Sequence, residues 1–325
     1  MKTRITDLFG IDIPVIAGGL QWLANAEYVS AAAQAGIISF ITAASFESLD
    51  ELRDEIRKCR DMSDGKPFGV NVSMLPKLVE GEKTEQVFQL IVDEGVRFVE
   101  TSGRNPEPYL PGLHDAGIKV IHKVPAVRFA KKAEAAGVDA ISLVGAECGG
   151  HPGLDMIGSI VLATLAAREL KVPFIIGGGI GTGEQLAAAL ALGADGVIIG
   201  TRFLVADEIW AHSDYKKRLL EAAENDTTLV LQSLRNTLRA LNNETTQEVQ
   251  RIESENPGNL DLLMPHISGK VGKQAYETGD WSKGALSVGQ AVAFADKMEP
   301  LGDIVRRIAK EAEKALERTR TIAEA

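Results

Sequence analysis

The chain has 325 residues and a formal net charge of −10, from 35 basic and 45 acidic residues. This acidity gives no general attraction for phosphate backbones, so we expect no nucleic-acid partner. The two cysteines, Cys59 and Cys148, are too few for a disulfide framework and suit a reducing compartment. No apolar run reaches the roughly 18 residues of a membrane span, and no signal-peptide core follows the N-terminus, so we expect a cytoplasmic protein.

Strand-like and helix-like segments alternate from the N-terminus to about residue 200. Apolar runs predict strands at residues 14–17, 38–43, 68–73, 97–101, 119–124, 140–144, 173–176 and 196–200. A glycine suited to closing a helix precedes five of them, namely Gly36, Gly95, Gly117, Gly137 and Gly193. Alternating strands and helices indicate an α/β fold with parallel pairing, and eight such units can close into a (β/α)8 TIM barrel. An open doubly wound sheet is the alternative.

The strand–helix alternation stops after the eighth predicted strand. Helical stretches are predicted at 214–225, 227–242 and 247–253, followed by a segment broken by proline and glycine from residue 256 to 289. We interpret residues 205–290 as a mostly helical insertion that covers the mouth of the barrel as a substrate-binding lid. Residues 1–204 and 291–325 would form the barrel, with the last segment returning as its final helix.

Glycines follow the seventh and eighth predicted strands. Gly177, Gly178 and Gly179 come after the seventh, and Gly200 and Thr201 come after the eighth. In barrels, phosphate groups commonly lie between these two loops at a helix N-terminus, where glycine lets backbone N–H groups approach closely. The pattern therefore predicts a phosphate site in which Thr201 can donate its hydroxyl. Tight turns alone are the simpler explanation of these glycines.

Further candidate ligand contacts lie at three other strand ends. The pair Gly18-Gly19 at the end of the first strand can let a flat ring lie against the backbone, or can simply form a turn. Asn71 and Ser73 share one face of the third strand. Lys123 closes the fifth strand, and a surface ion pair is its alternative role.

A glycine-rich loop after the sixth strand contains His151. A neutral histidine ring in such a loop can take or give a proton near pH 7. We expect Cys148 to be structural, and one cysteine with one histidine does not make a metal site, so no metal is expected. Arg235 lies in a run of apolar and basic residues at helical spacing. This spacing predicts a helix with a solvent-exposed basic face, and contact of Arg235 with an anionic dinucleotide is the alternative.

Taken together, the motifs resemble the nitronate monooxygenase (2-nitropropane dioxygenase-like) family of FMN enzymes. Six ordered segments carry the resemblance across nearly the whole chain, at 18–22, 69–73, 121–123, 147–153, 177–179 and 200–203. The resemblance implies noncovalent FMN and a catalytic His151 that faces the flavin, with Lys123 able to stabilise charge on the reduced ring. The flavin contacts that it implies are Gly18, Gly19, Leu20, Gln21, Asn71, Ser73, Lys123, Gly149, Gly150, Gly178, Gly179, Gly200 and Thr201.

Three activities share this scaffold: NAD(P)H:quinone reduction, oxidation of alkyl nitronates with O2, and flavin-dependent enoyl-ACP reduction. The Gln21-Trp22 pair and the residues flanking the Gly-Gly-His motif are most similar to the quinone reductases, although Leu154 stands where that group tends to have an acidic residue. We therefore prefer quinone reduction with NAD(P)H as co-substrate, then nitronate oxidation, then enoyl reduction. Gln290 and Arg235 are weaker candidates for substrate contacts.

A barrel that binds a phosphate ligand without redox chemistry is the alternative of another class. The sequence leaves open the physiological electron acceptor, the choice between NADH and NADPH, and the oligomeric state, with a homodimer as one option.

Overall fold

The computed structural model describes residues 1–74 and 83–324. Within these ranges eight parallel strands close into a barrel in chain order, so the predicted (β/α)8 TIM barrel is confirmed. The predicted strand bounds lie within about two residues of the observed ones. The strands are β1 (Val15–Ala17), β2 (Ile38–Thr42), β3 (Gly69–Met74), β4 (Phe98–Gly103), β5 (Lys119–Val124), β6 (Ala140–Val144), β7 (Phe174–Gly177) and β8 (Gly196–Ile199).

The first helix, α1 (Arg4–Phe9), precedes β1, and the next seven helices connect the strands and cover the outside of the barrel. These seven are α2 (Ala26–Gln34), α3 (Leu49–Met62), α4 (Thr84–Asp93), α5 (Leu110–Asp115), α6 (Val127–Ala136), α7 (Ser159–Glu169) and α8 (Gly183–Ala191). The five glycines predicted to close helices all have positive φ, between 63° and 100°, which L side chains rarely adopt.

The interior of the barrel is apolar at its lower end. Side chains from the strands, including Phe40, Phe98 and Ile198, form one cluster with Ile5 and Phe9 of α1. The Phe9 ring lies 5.2 Å from the Phe98 ring and 6.3 Å from the Phe40 ring, centroid to centroid. The first helix therefore plugs the N-terminal end of the barrel, leaving the C-terminal end as the mouth.

After β8 the chain forms α9 (Ser213–Leu220), β9 (Thr227–Val230), β10 (Leu238–Leu241), α10 (Glu244–Glu255), α11 (Leu260–Ile267) and α12 (Gly269–Thr278). The predicted helix at 227–242 is wrong, because β9 and β10 pair as an antiparallel hairpin. Two residues in the connection, Leu231 and Arg235, have positive φ of 61° and 54°, which ends any helix. The apolar and basic residues whose spacing predicted a helix lie partly in this turn and partly in β10.

The final helix, α13 (Leu301–Glu324), packs between α8 and α2 and completes the ring of outer helices. It begins ten residues later than predicted, since residues Gln290–Phe294 form a short 3₁₀ helix and Pro300 directly precedes the α-helical turn. In the described part of the chain, no helix combines the length and apolar character needed to cross a membrane.

Candidate active site

The mouth of the barrel gathers most of the predicted site residues, because parallel strands all end on the same side. At the seam between β1 and β8, the Gly18 N–H donates to the Ile199 carbonyl over 2.8 Å. A Cβ on Gly19 would lie 3.2 Å from both the Asn71 Cβ and the Thr42 Oγ1. Glycine at position 19 therefore lets the first strand end pass directly over Asn71 of β3.

The two glycine turns that follow β7 and β8 also lie at this mouth. Gly178 and Gly179 have φ of 97° and 73°, and a Cβ on Gly178 would lie 3.0 Å from the backbone N and O of Gly145. Around Gly200, by contrast, an added Cβ would meet only the Leu20 side chain, at 3.5 Å. Space is therefore open in front of the Gly200 backbone.

The N-terminus of α8 is already capped. The Gln185 side chain accepts from the Gly181 N–H over 2.7 Å and from the Thr182 N–H over 3.1 Å, and Glu311 of α13 accepts from the Gly183 N–H over 3.0 Å. The sequence predicted that a phosphate binds at a helix N-terminus after β7 or β8. The first backbone N–H groups of α8 already donate to protein side chains, so they are not available to a phosphate. The turn at Gly200 and Thr201 is the remaining helix start at this place, and the Thr201 Oγ1 accepts from the Gly289 N–H over 2.9 Å, which leaves its own proton to donate.

The loop that carries His151 is held by backbone contacts with the insertion. Gly150 and Arg239 of β10 exchange two backbone hydrogen bonds, of 3.0 and 2.7 Å. The Arg239 Nε also donates to the Ala146 carbonyl over 3.0 Å, and burial lowers the pKa of the guanidinium. A single antiparallel bridge therefore fastens this loop to the β9–β10 hairpin.

A second set of contacts fixes the same loop from below. A Cβ on Gly149 would lie 2.7 Å from the Gly289 N, so these two glycines allow the chains to touch. The Gln290 N–H donates to the Glu147 carbonyl over 3.0 Å. The Glu147 carboxylate accepts from the Ser159 N–H and hydroxyl, at 3.1 and 2.7 Å, and so caps α7. Gln290 thus contacts the loop through its backbone.

The His151 ring is exposed in the mouth and makes no hydrogen bond with the described residues. Desolvation by the surrounding chain lowers its pKa, so the ring is neutral near pH 7. A Cβ on Gly150 would meet nothing within 4 Å, so open space lies beside the histidine. Burial raises the pKa of the neighbouring Cys148 thiol to about 12, which makes it a poor nucleophile and agrees with a structural role.

A buried carboxylate that the sequence analysis missed lies beneath these loops. Glu100 of β4 is fully buried, and its Oε2 accepts from the Asn71 Nδ2 and from the Lys123 Nζ, the latter over 3.0 Å. The Ser73 Oγ lies 3.4 Å from the Asn71 Oδ1 and extends the network toward the mouth. The signal was present in the sequence, because alternation along β4 places Glu100 on the same inward face as Phe98.

The aromatic residue Trp22 marks the rim of the mouth. Its φ of 69° is unusual for a non-glycine residue, and its backbone is held by hydrogen bonds of 2.7 Å from its N–H to the Ser45 Oγ and from the Trp210 Nε1 to its carbonyl. The Lys273 ammonium of α12 lies 5.3 Å from the centre of the Trp22 ring. Gln21 is exposed beside the same helix, its Nε2 3.5 Å from a Cβ built on Gly269.

One predicted residue, Arg235, is not tied to the other site candidates by a hydrogen bond between described residues. It is exposed on the turn between β9 and β10. Residues 1–74 and 83–324 contain no group of three His, Cys, Asp or Glu side chains arranged to hold a metal ion.

A closed parallel barrel with glycine turns after β7 and β8, and with a histidine loop at the same mouth, defines a barrel enzyme. The family model described as nitronate monooxygenase matches residues 2–311. The chain therefore belongs to the nitronate monooxygenase family of oxidoreductases.

Known relatives carry several names. A protein of Mycobacterium tuberculosis named (3aS,4S,5R,7aS)-5-hydroxy-7a-methyl-1-oxo-octahydro-1H-indene-4-carboxyl-CoA dehydrogenase is 36% identical over 230 residues, 70% of this chain but only 63% of that protein. The nitronate monooxygenase of Paraburkholderia phytofirmans is 27% identical over 99% of this chain and 98% of its own. Among solved structures, FabK from Thermotoga maritima has a TM-score of 0.90 and 32% identity, and covers 99% of both chains.

Proposed function

We propose that the protein is an FMN-dependent oxidoreductase that takes hydride from NAD(P)H and passes the electrons to a quinone. The observation that carries this proposal is the mouth itself. A neutral histidine beside the open space at Gly150, a lysine bound to a buried carboxylate, and the glycine turns after β7 and β8 all lie at the C-terminal end of the barrel.

FMN fits the residues at this mouth. The backbone at Gly179, Gly200 and Thr201 would hold the phosphate, since Gly200 has open space before it and the Thr201 hydroxyl keeps a proton to donate. Gly19 and Asn71, between which there is little room even for an added Cβ at position 19, would form the floor under the ring. The remaining contacts would come from Gly18, Leu20, Gln21, Ser73, Lys123, Gly149, Gly150 and Gly178. When bound, FMN supplies hydride acceptance and electron transfer.

The side chains at the mouth have separable roles in this proposal. The Lys123 ammonium would stabilise negative charge on the bound flavin. The neutral His151 ring orients the electron acceptor through a hydrogen bond, in the open space beside Gly150. Lys273 at the rim, and Arg235 on the hairpin, are the cations available to the phosphates of a dinucleotide.

Two other activities of the same site have support of their own. A histidine whose pKa is lowered is a suitable base toward a nitroalkane, and the family name points to nitronate oxidation. Reduction of a thioester-conjugated double bond is the second, since one relative is named for a CoA-linked compound. We rank quinone reduction first because of the residues around Gln21 and the Gly-Gly-His motif.

The test is an anaerobic absorbance spectrum of the purified protein, before and after addition of NADH and then NADPH. A bound flavin gives a band near roughly 450 nm that disappears on reduction. Loss of the band with either nucleotide, followed by its return with a quinone, is the expected result and also names the donor. If neither nucleotide reduces the flavin but an alkyl nitronate does, the protein is a nitronate monooxygenase. Return of the band with an enoyl thioester but not with a quinone identifies the third activity.

A protein that stays colourless after FMN is added contradicts the redox proposal. The non-redox alternative, a barrel that binds another phosphate ligand, would then be the better explanation of the glycine turns.

A further inference from the structure

Glu100 is an unusual residue for the inside of a barrel. It lies in the middle of β4, between Asn71 on the neighbouring β3 and the Lys123 side chain from β5. Its side chain has no exposed surface. One carboxylate oxygen, Oε2, accepts from both neighbours, whereas the other, Oε1, has no hydrogen-bond partner among the described residues.

Stability does not explain why a carboxylate occupies this place. Removing a carboxylate and an ammonium from water costs several kcal/mol each, so replacing a buried pair by apolar side chains is often neutral or stabilising. The interior residues just below, such as Phe98, are apolar. Apolar residues in place of both Glu100 and Lys123 would therefore cost the barrel little stability.

The position of the Glu100–Lys123 pair just below the mouth indicates why a carboxylate occupies position 100. Lys123 is 24% exposed, so its ammonium bonds Glu100 on one side and reaches the mouth on the other. Asn71 lies under Gly19, at the end of β1. Glu100 thus holds from beneath both Lys123, which is partly exposed at the mouth, and Asn71, which is buried under Gly19.

We propose that Glu100 is a positioning residue that fixes Lys123 and Asn71, and that its negative charge offsets the charge of the ammonium. The floor of the mouth is then almost neutral instead of cationic. This inference rests on the proposed function in one respect: with FMN bound above this floor, the Glu100–Lys123 pair sets how readily the flavin is reduced.

The first experiment measures the FMN reduction equilibrium against a reference dye in the purified holoenzyme. Glu100→Gln keeps the shape and a hydrogen-bond acceptor but leaves the Lys123 charge without an opposite charge. We expect the equilibrium to shift toward reduced flavin by about tenfold, which is about 30 mV for a two-electron couple. Lys123→Met should shift it the other way, and the double variant should return toward wild type because both charges are gone.

The matched control is Lys119→Met. Lys119 lies on the same strand at the opposite end of the barrel, and it also pairs with a carboxylate, Asp139, over 2.9 Å. Loss of this pair should leave the flavin equilibrium unchanged. An unchanged equilibrium in Glu100→Gln, with FMN bound at wild-type stoichiometry, would overturn the inference.

A second experiment needs no flavin. In the apoprotein, the amine of Lys123 must leave Glu100 before it can attack an acylating reagent, so labelling by acetic anhydride, followed by mass spectrometry, reports the pair directly. We expect Glu100→Gln to raise the labelling rate of Lys123 severalfold relative to Lys119 in the same sample. Equal rates in wild type and variant mean that Glu100 does not hold Lys123, whereas faster labelling in a protein that never binds FMN leaves the positioning role intact and removes only the proposed function.

Discussion

The His151 side chain combines exposure to the mouth with a pKa that desolvation lowers. Its protonated form therefore appears only below the usual histidine pKa of about 6.5. If the reaction needs the neutral ring, kcat/KM should stay level as the pH falls from about 8 past this value, and should decline only in more acidic solution. His151→Gln should lose about 100-fold in kcat/KM and should no longer show the acid decline.

The control for this pH profile is His114→Gln, since His114 pairs with Asp139 away from the mouth, over 3.0 Å. That variant should keep both the rate and the acid limb. An activity that declines instead as the pH rises through neutrality would mean that the reaction uses the protonated ring, and would contradict the role of neutral hydrogen-bond partner.

Among single residues, the sequence indicated those with a reactive side chain in a conspicuous position, such as a loop that directly follows a barrel strand. His151 stands out because it interrupts a glycine-rich loop, and the structure places it at the mouth with the glycine turns. Glu100 was missed because its partners come from other strands, Asn71 29 residues earlier and Lys123 23 residues later. Only the barrel register brings these three side chains together, and the sequence alone does not give that register.

Among the secondary-structure elements, the β9–β10 hairpin has the most direct bearing on the histidine loop. Arg239 of β10 donates to the Ala146 carbonyl and to the Thr227 hydroxyl, over 3.0 and 3.1 Å. Arg239→Met keeps the backbone bridge to Gly150 but removes these bonds, each of which involves a charged donor. We expect amide hydrogen exchange in residues 146–151 to accelerate by at least about tenfold, equivalent to about 1.4 kcal/mol of local stability.

Arg235→Met is the control on the same hairpin, because Arg235 is exposed on the turn. Its exchange pattern in residues 146–151 should match wild type. Equal acceleration in both variants would mean that the hairpin as a whole, and not the Arg239 side chain, holds the histidine loop.

The same hairpin shows where element prediction failed. Apolar and basic residues at 233–239 have helical spacing, yet the chain turns at Arg235 and continues as a strand. The pairing partner of β10 and the bridge to Gly150 are contacts between segments distant in sequence, and such contacts override local periodicity. The barrel strands were predictable because a helix-closing glycine precedes five of the eight and because each contains buried apolar residues.

At the scale of the whole molecule, closure of the barrel depends on the segment that returns after the insertion. Arg202, buried just after β8, donates to Asp296 and Glu299 over 2.9 and 3.4 Å, and desolvation lowers its pKa. Arg307 of α13 bonds the same two carboxylates. This cluster ties the start of the insertion to the final helix.

Replacing Arg202 by Met should therefore lower the free energy of unfolding by about 3 kcal/mol, because it leaves buried carboxylate surface with fewer partners. Equilibrium denaturation in urea measures this change. Arg320→Met is the comparison on α13, where the pair with Glu317 is exposed and a change below about 1 kcal/mol is expected. Similar losses in both variants would show that the buried cluster has no special part in closing the barrel.

The plug formed by Phe9 and Ile5 has a consequence for the order of events during turnover. Because α1 fills the lower end of the barrel, the described part of the chain leaves the opposite, C-terminal end as the way into the interior. In the proposed reaction, the electron donor and the electron acceptor would need the same place at this end of the barrel, so the donor would have to leave before the acceptor binds. If the proposed function is correct, we therefore expect ping-pong kinetics, with parallel lines in double-reciprocal plots and competition by an excess of either substrate.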